Sequence, residues 1–392
     1  MPLDIARLRA DTPGCEHVLH FNNAGAGLMP QPVLDTLHGH LVRESMMGGY
    51  EAHHAADAEC KDTYQAIADL LGAQTHEIAL EENATRAWDQ VFYGMAFQPG
   101  DRVITSNSVY ASDFLAMLQQ QRRLGIEIDV IGNDAFGQVD TNSLEAAITD
   151  RTRLICLTHV PTNGGLVNPA EEVGAIAKRH GVPYLLDACQ SVGQVEVNVE
   201  KIGCDFLSAT GRKYLRGPRG TGFLYVRTAA LDLIEPPFLD LHAAQWTGRN
   251  TYKMADGAAR FENWEGYVAG KLALGSAIRY LQELGPDLVF ERIARNAAAL
   301  RRQLSAIPGV TVHDLGLRKG GIVTFSHADK DARRIKIGLD QRGMNVNLSV
   351  PQWARLDAED RNLPVMIRAS VHAYNSEAEI ERFTCTISEL TG

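Results

Sequence analysis

Lys213 ends the run Ala209-Thr210-Gly211-Arg212-Lys213, just after the apolar stretch Asp205-Phe206-Leu207-Ser208-Ala209, and Gly217 and Gly220 follow it closely. A lysine on a glycine-flanked loop at a strand end can be approached by a bound group. One strand-turn-strand unit upstream, Tyr184-Leu185-Leu186-Asp187 carries an aspartate off the end of another hydrophobic strand. An aspartate and then a lysine in this arrangement is what pyridoxal phosphate needs. The carboxylate keeps the pyridine nitrogen protonated so that the ring accepts electrons, and the amine bonds to the aldehyde carbon. Taken singly, each residue has an ordinary reading as a strand-end aspartate or a surface lysine.

The elements that must position this pair alternate along the chain. Short apolar runs at 78–80, 103–106, 126–131, 154–158, 183–186, 206–208 and 222–226 read as strands. Helix-like stretches separate several of them, among them 170–181, which ends in a glycine suited to a helix C-cap. Alternation of this kind implies a mostly parallel sheet covered on both faces. Ligands of such sheets gather beyond the carboxyl ends of the strands, where Asp187, Lys213 and the loop before Thr162 fall. From 266 to 305 the pattern turns long and helical, and 310–312, 321–325 and 365–368 then read as strands of a second, α+β layer.

With these elements in place, the chain resembles the class V aminotransferases of the fold-type I pyridoxal phosphate enzymes, a group that includes cysteine desulfurases, selenocysteine lyases, isopenicillin N epimerase and hercynylcysteine sulfoxide lyase. The resemblance runs from Phe21-Asn22-Asn23-Ala24-Gly25 to Arg368-Ala369-Ser370-Val371-His372. Its specific part is the pairing of Asp187-Ala188-Cys189-Gln190-Ser191 with Thr210-Gly211-Arg212-Lys213. It implies an α/β fold with a seven-stranded, mostly parallel sheet in a large domain (16–284), and a smaller domain built from 1–15 and 285–392. The N-terminal segment is expected to pack on that smaller domain. The resemblance also implies a homodimer whose sites are completed by the second subunit.

Carried over residue by residue, the resemblance assigns Lys213 and Asp187 as above. Ala84 and Thr85, in a segment that opens a helix, would hold the cofactor phosphate, where free N–H groups and the helix dipole favour an anion. A simple helix cap at Asn83 is the alternative. Thr210 and Arg212 are further phosphate candidates. Tyr110 stands where relatives place a ring-stacking aromatic. Gln190, and either Thr162 or Asn163, would reach the cofactor's phenolic oxygen. Trp264 and Glu265 replace a glycine-threonine pair that meets the neighbouring subunit's phosphate in relatives. A tryptophan packed at the dimer interface is an equal reading. Arg368 resembles the arginine that grips a substrate α-carboxylate. Asn23, Tyr50 and His53 are weaker substrate-side candidates.

Cysteine desulfurases carry a nucleophilic cysteine on a loop shortly before this arginine, and the stretch from Asn345 to Ile367 has none. Cys189 reads as a small buried residue beneath the cofactor. A persulfide-forming desulfurase is therefore disfavoured, and β-elimination at an S-substituted cysteine or its sulfoxide is the leading expectation, with transamination and epimerisation open beside it.

The rest of the composition is consistent with this class. The net charge of -10 argues against nucleic acid or an anionic membrane as a bulk partner. Six cysteines without CxxC spacing indicate neither a zinc site nor a disulfide framework. The N-terminus lacks the basic and apolar regions of a signal peptide and no run suggests a membrane span, so a cytoplasmic protein without bound metal is expected.

Overall fold

In the computed structural model, which describes residues 3–392, seven strands form one sheet. They are β1 (Ile78–Glu81), β2 (Arg102–Ser106), β3 (Glu127–Ile131), β4 (Thr152–Thr158), β5 (Tyr184–Asp187), β6 (Phe206–Thr210) and β7 (Gly222–Val226). Their spatial order is β1-β7-β6-β5-β4-β2-β3, and only β7 runs antiparallel to its neighbours. All seven coincide with apolar runs read from the sequence.

Strand periodicity of two sorts the side chains into two cores. Ile155, Leu157, Tyr184, Leu186, Leu207 and Ala209 point to one face, whereas Leu154, Cys156, Leu185 and Phe206 point to the other. The second face is covered by α1 (Ala84–Gly94) and α2 (Ala111–Leu124), through Trp88, Val91, Phe92 and Met117. The first is covered by α3 (Ala170–His180) and α4 (Val268–Leu284), through Val173, Ile176, Leu274 and Ile278. Each helix thus turns an apolar stripe at three- to four-residue spacing toward the sheet.

The long helical region breaks at Gly285, whose φ of 84° suits glycine, and Pro286 then starts α5 (Pro286–Ser305). Beyond it, β8 (Val310–Val312), β9 (Ile322–His327), β10 (Asn347–Ser349) and β11 (Met366–Ser370) make an antiparallel sheet in the order β8-β9-β11-β10. Its own core joins Leu300, Phe325, Ile367 and Phe383 to Leu19 and Phe21 from the N-terminal segment. That segment is fixed twice: Leu19–His20 pairs with Met344–Asn345, and Asn22 bridges to Ser370 at the end of β11. The loop after Asn22 is thereby drawn back over the carboxyl ends of β5 and β6. Gly27 allows the approach, because a Cβ there would stand 2.6 Å from the Lys213 carbonyl oxygen.

Candidate active site

Asp187 is the last residue of β5 and is buried, and Cys189 N–H donates to its Oδ1 at 2.9 Å. Its cross-strand neighbours are Thr158 on β4 and Ser208 on β6, whose buried hydroxyls have no hydrogen-bond partner among the described residues. Burial pushes the Asp187 carboxyl up, and the Cys189 N–H and the Lys213 ammonium oppose that rise. A buried carboxylate without an ion pair is costly unless a cationic group meets it.

Lys213 lies three residues beyond β6 and is buried, with Nζ 3.0 Å from the Cys189 Sγ. Cys189 is thus not mere packing: its half-buried thiol faces the amine, and burial pushes its pKa up. Tyr110, which precedes α2, is half-buried, and burial raises its phenol, with Cys189 and Asp187 among the acids that add to the effect. Asp187, Cys189, Lys213 and Tyr110 therefore surround one space at the ends of β2, β5 and β6.

The N-terminus of α1 lies to one side. Asn83 caps it by accepting from Arg86 N–H at 3.0 Å, and the backbone N–H groups of Ala84 and Thr85 have no acceptor within the helix. Thr85 is exposed. Gly222 at the start of β7 lets this turn approach the sheet, since a Cβ would fall 2.6 Å from the Ala209 oxygen and 2.8 Å from the Asn83 carbonyl carbon. Thr210 is buried and donates to the Thr221 carbonyl at 3.2 Å.

On the opposite side, Arg368 in the middle of β11 is 3% exposed. Its Nη1 donates to the Thr162 carbonyl at 3.2 Å and to Thr162 Oγ1 at 2.7 Å, and its guanidinium lies over the Trp353 ring at 5.5 Å. It has no carboxylate partner and its Nε is unpaired among the described residues. Burial pushes its pKa down to about 10. Gln190 Nε2 donates to Thr162 Oγ1 at 3.4 Å and to the Ala24 carbonyl at 3.1 Å, leaving its own Oε1 buried and unpaired. Asn163 also leaves Oδ1 buried and unpaired, while its carbonyl accepts from Thr324 Oγ1.

Arg212 donates through Nη1 to the Gly25 carbonyl, on the substrate-side loop rather than at the start of α1. Asn23 is wholly engaged in holding that loop: its amide donates to the Ser370 carbonyl at 2.7 Å and its oxygen accepts from Tyr374. Tyr50 and His53 lie on the short helix Gly49–Ala55, exposed, and no hydrogen bond joins them to the centre. Trp264 is 58% exposed, and its backbone N–H donates to Asp240 Oδ2 at 2.6 Å.

Asp113 escapes a motif search, yet its spacing was readable. With Ala116, Met117 and Gln120 it forms the buried stripe of α2, which puts a carboxyl on an apolar face. Burial and the nearby Asp187 hold that carboxyl well above its usual range.

The family model for class V aminotransferases matches residues 19–383. The chain belongs to the class V aminotransferase family. A probable cysteine desulfurase of Methanothermobacter thermautotrophicus is 29% identical over 98% of both chains. A cysteine desulfurase of Yersinia pestis is 29% identical over 100% of this chain and 99% of its own length. Among solved structures, the apo cysteine desulfurase of Thermococcus onnurineus superposes with a TM-score of 0.93 at 27% identity, covering 100% of this chain and 98% of that one. This is a fold-type I enzyme of the family, and its cofactor is pyridoxal phosphate. The residues present fit that group: a buried carboxyl at a strand end, a lysine amine, a helix N-terminus with free N–H groups, and the orphaned amide oxygens of Gln190 and Asn163.

Proposed function

We propose that this protein is a C–S lyase that eliminates the sulfur substituent of an S-substituted cysteine or its sulfoxide. The observations that support this reading are a buried lysine amine and a buried arginine without a carboxylate partner, together with the absence of a cysteine between 345 and 367 to accept sulfur. When bound, the cofactor joins the substrate's amino group and draws electrons away from Cα.

The chain's own residues do the rest. The unpaired edge of Arg368 receives the α-carboxylate and turns the Cα–H bond toward Lys213, whose amine takes the proton. Asp187 would keep a proton on the ring nitrogen. Ala84, Thr85 and Thr210 would hold the phosphate, and Tyr110 would lie against the ring. Gln190 with Thr162 or Asn163 would meet the phenolic oxygen. Thr162, already bonded to Arg368 and Gln190, is favoured over Asn163. The raised phenol of Tyr110 keeps its proton at neutral pH and is available to a departing thiolate or sulfenate.

A homodimer belongs to this proposal. Val42, Met46, Tyr50, Leu241, Trp246 and Trp264 are all more than half exposed, large apolar side chains that a second copy would cover. The Trp264 segment would then reach the neighbour's phosphate. The proposed large domain of 16–284 ends where α4 gives way to Gly285.

Purified enzyme is mixed with S-substituted cysteines, and pyruvate and ammonia are assayed without added keto acid. Their release supports elimination. Cofactor that loses its aldehyde and recovers only with a keto acid moves the assignment to transamination. Alanine formed from L-cysteine, with protein-bound persulfide, would place the chain with the relatives named cysteine desulfurases.

A further inference from the structure

Two guanidiniums sit at the ends of one hydrogen-bonded arc. Arg368 Nη1 bonds Thr162 Oγ1, Thr162 Oγ1 accepts from Gln190 Nε2, and Gln190 Nε2 also donates to the Ala24 carbonyl. The next residue, Gly25, accepts from Arg212. Further hydrogen bonds tie the arc to neighbouring elements. Ala24 N–H donates to Ser370 Oγ, Asn23 bonds the Ser370 carbonyl, and Gly27 N–H donates to the Arg212 carbonyl at 2.8 Å. Among the described residues neither arginine has a carboxylate partner within ion-pair distance. The two are close enough that the charge on Arg212 disfavours the charge on Arg368.

Two like charges beside one space, neither with a carboxylate at ion-pair distance, favour an anion that joins them. One carboxylate satisfies Arg368. The second cation remains, and its hold on Gly25 turns it toward the loop at 22–27 rather than toward the start of α1.

We infer that Arg212 is a specificity-determining residue, and that the substrate carries a second anionic oxygen group, a carboxylate or sulfinate, on its side chain. This rests on the lyase reading for the identity of the reaction but not for the binding of the anion. The α-carboxylate meets Arg368, and the distal anion replaces the Gly25 carbonyl as the acceptor for Arg212. A planar guanidinium suits either oxyanion bidentately.

The test compares S-carboxymethyl-L-cysteine with its neutral isostere S-carbamoylmethyl-L-cysteine in wild type, Arg212→Gln and Arg212→Lys. Wild type should prefer the anionic substrate by at least about tenfold in kcat/KM. Arg212→Gln should abolish or reverse that preference, and Arg212→Lys should restore part of it. A second arm needs no turnover: succinate should perturb the cofactor absorbance of the holoenzyme at lower concentration than butyrate, and Arg212→Gln should remove the difference. Equal loss on both substrates together with weakened affinity for pyridoxal phosphate would overturn the inference and return Arg212 to the phosphate. Wild type without preference for the anion in either arm overturns it too. If no S-substituted cysteine turns over yet succinate still outcompetes butyrate through Arg212, the lyase reading fails and the anion site stands.

Discussion

Arg368→Met separates what the buried guanidinium does for the fold from what it does for the substrate. Met keeps much of the length and packing under Trp353 and removes the charge. In the folded protein Arg368 is 3% exposed, and burial pushes its pKa down to about 10. That displacement corresponds to roughly 3 kcal/mol against the charged form. The sign follows from which state holds the proton less tightly. A base whose folded pKa lies below its unfolded value penalises folding at every pH below about 10, so the penalty is present throughout the working range. Removing the charge relieves it, while losing the two bonds to Thr162 costs on the order of 1–3 kcal/mol. The variant should therefore match or exceed wild type in urea unfolding, whereas truncating a packed side chain usually costs ~2–5 kcal/mol. Activity should move the other way. Two charge-assisted hydrogen bonds to the α-carboxylate, at ~1.5–3 kcal/mol each, give a loss of about 10²–10⁴-fold in kcat/KM. Added substrate amino acid should raise the Tm of wild type and not that of the variant. A variant destabilised by more than ~3 kcal/mol that keeps its kcat/KM would refute the reasoning, because Arg368 would then be a structural residue.

Lys213→Ala should lose turnover and retain pyridoxal phosphate only non-covalently, which borohydride treatment followed by mass spectrometry reads directly; normal turnover would sink the mechanism. Asp187→Asn should slow Cα proton removal by orders of magnitude with the fold intact, measured by loss of deuterium from Cα-labelled substrate. Glu81→Gln should stabilise the protein at alkaline pH. Burial first, and then Glu82 and Glu262, push the Glu81 carboxyl up to about 8. The unfolded chain releases this proton near pH 4.3 and the folded chain holds it to about 8, so stability falls as pH rises through that window, by up to ~5 kcal/mol. The glutamine variant should flatten that slope in unfolding curves at pH 5, 6.5 and 8; an unchanged slope would mean that Glu81 is solvated.

The large sheet was legible because each strand is a short apolar run between turn residues, and burial on both faces leaves little else for such runs to become. β10 escaped the same reading: Asn347-Leu348-Ser349 has one apolar residue and forms a strand only because β11 offers it an edge. The lysine and aspartate were legible because their chemistry demands their residue types at strand ends. What stayed hidden was direction. Arg212 and Lys213 are neighbours in sequence, and no spacing rule tells which wall of a shared space a flexible guanidinium will choose. That choice depends on the loop from Asn22 to Gly27, whose position is set by contacts more than three hundred residues away at Ser370 and Tyr374. Cys189 shows the same limit. Its type suggested quiet packing, yet the turn closed by the Cys189 N–H on Asp187 aims the thiol at the Lys213 amine. Local pattern thus specifies which groups reach the site, and long-range closure of the N-terminal loop specifies what they face. Substrate choice should accordingly be altered by changes in 22–27 that leave Lys213 and Asp187 untouched.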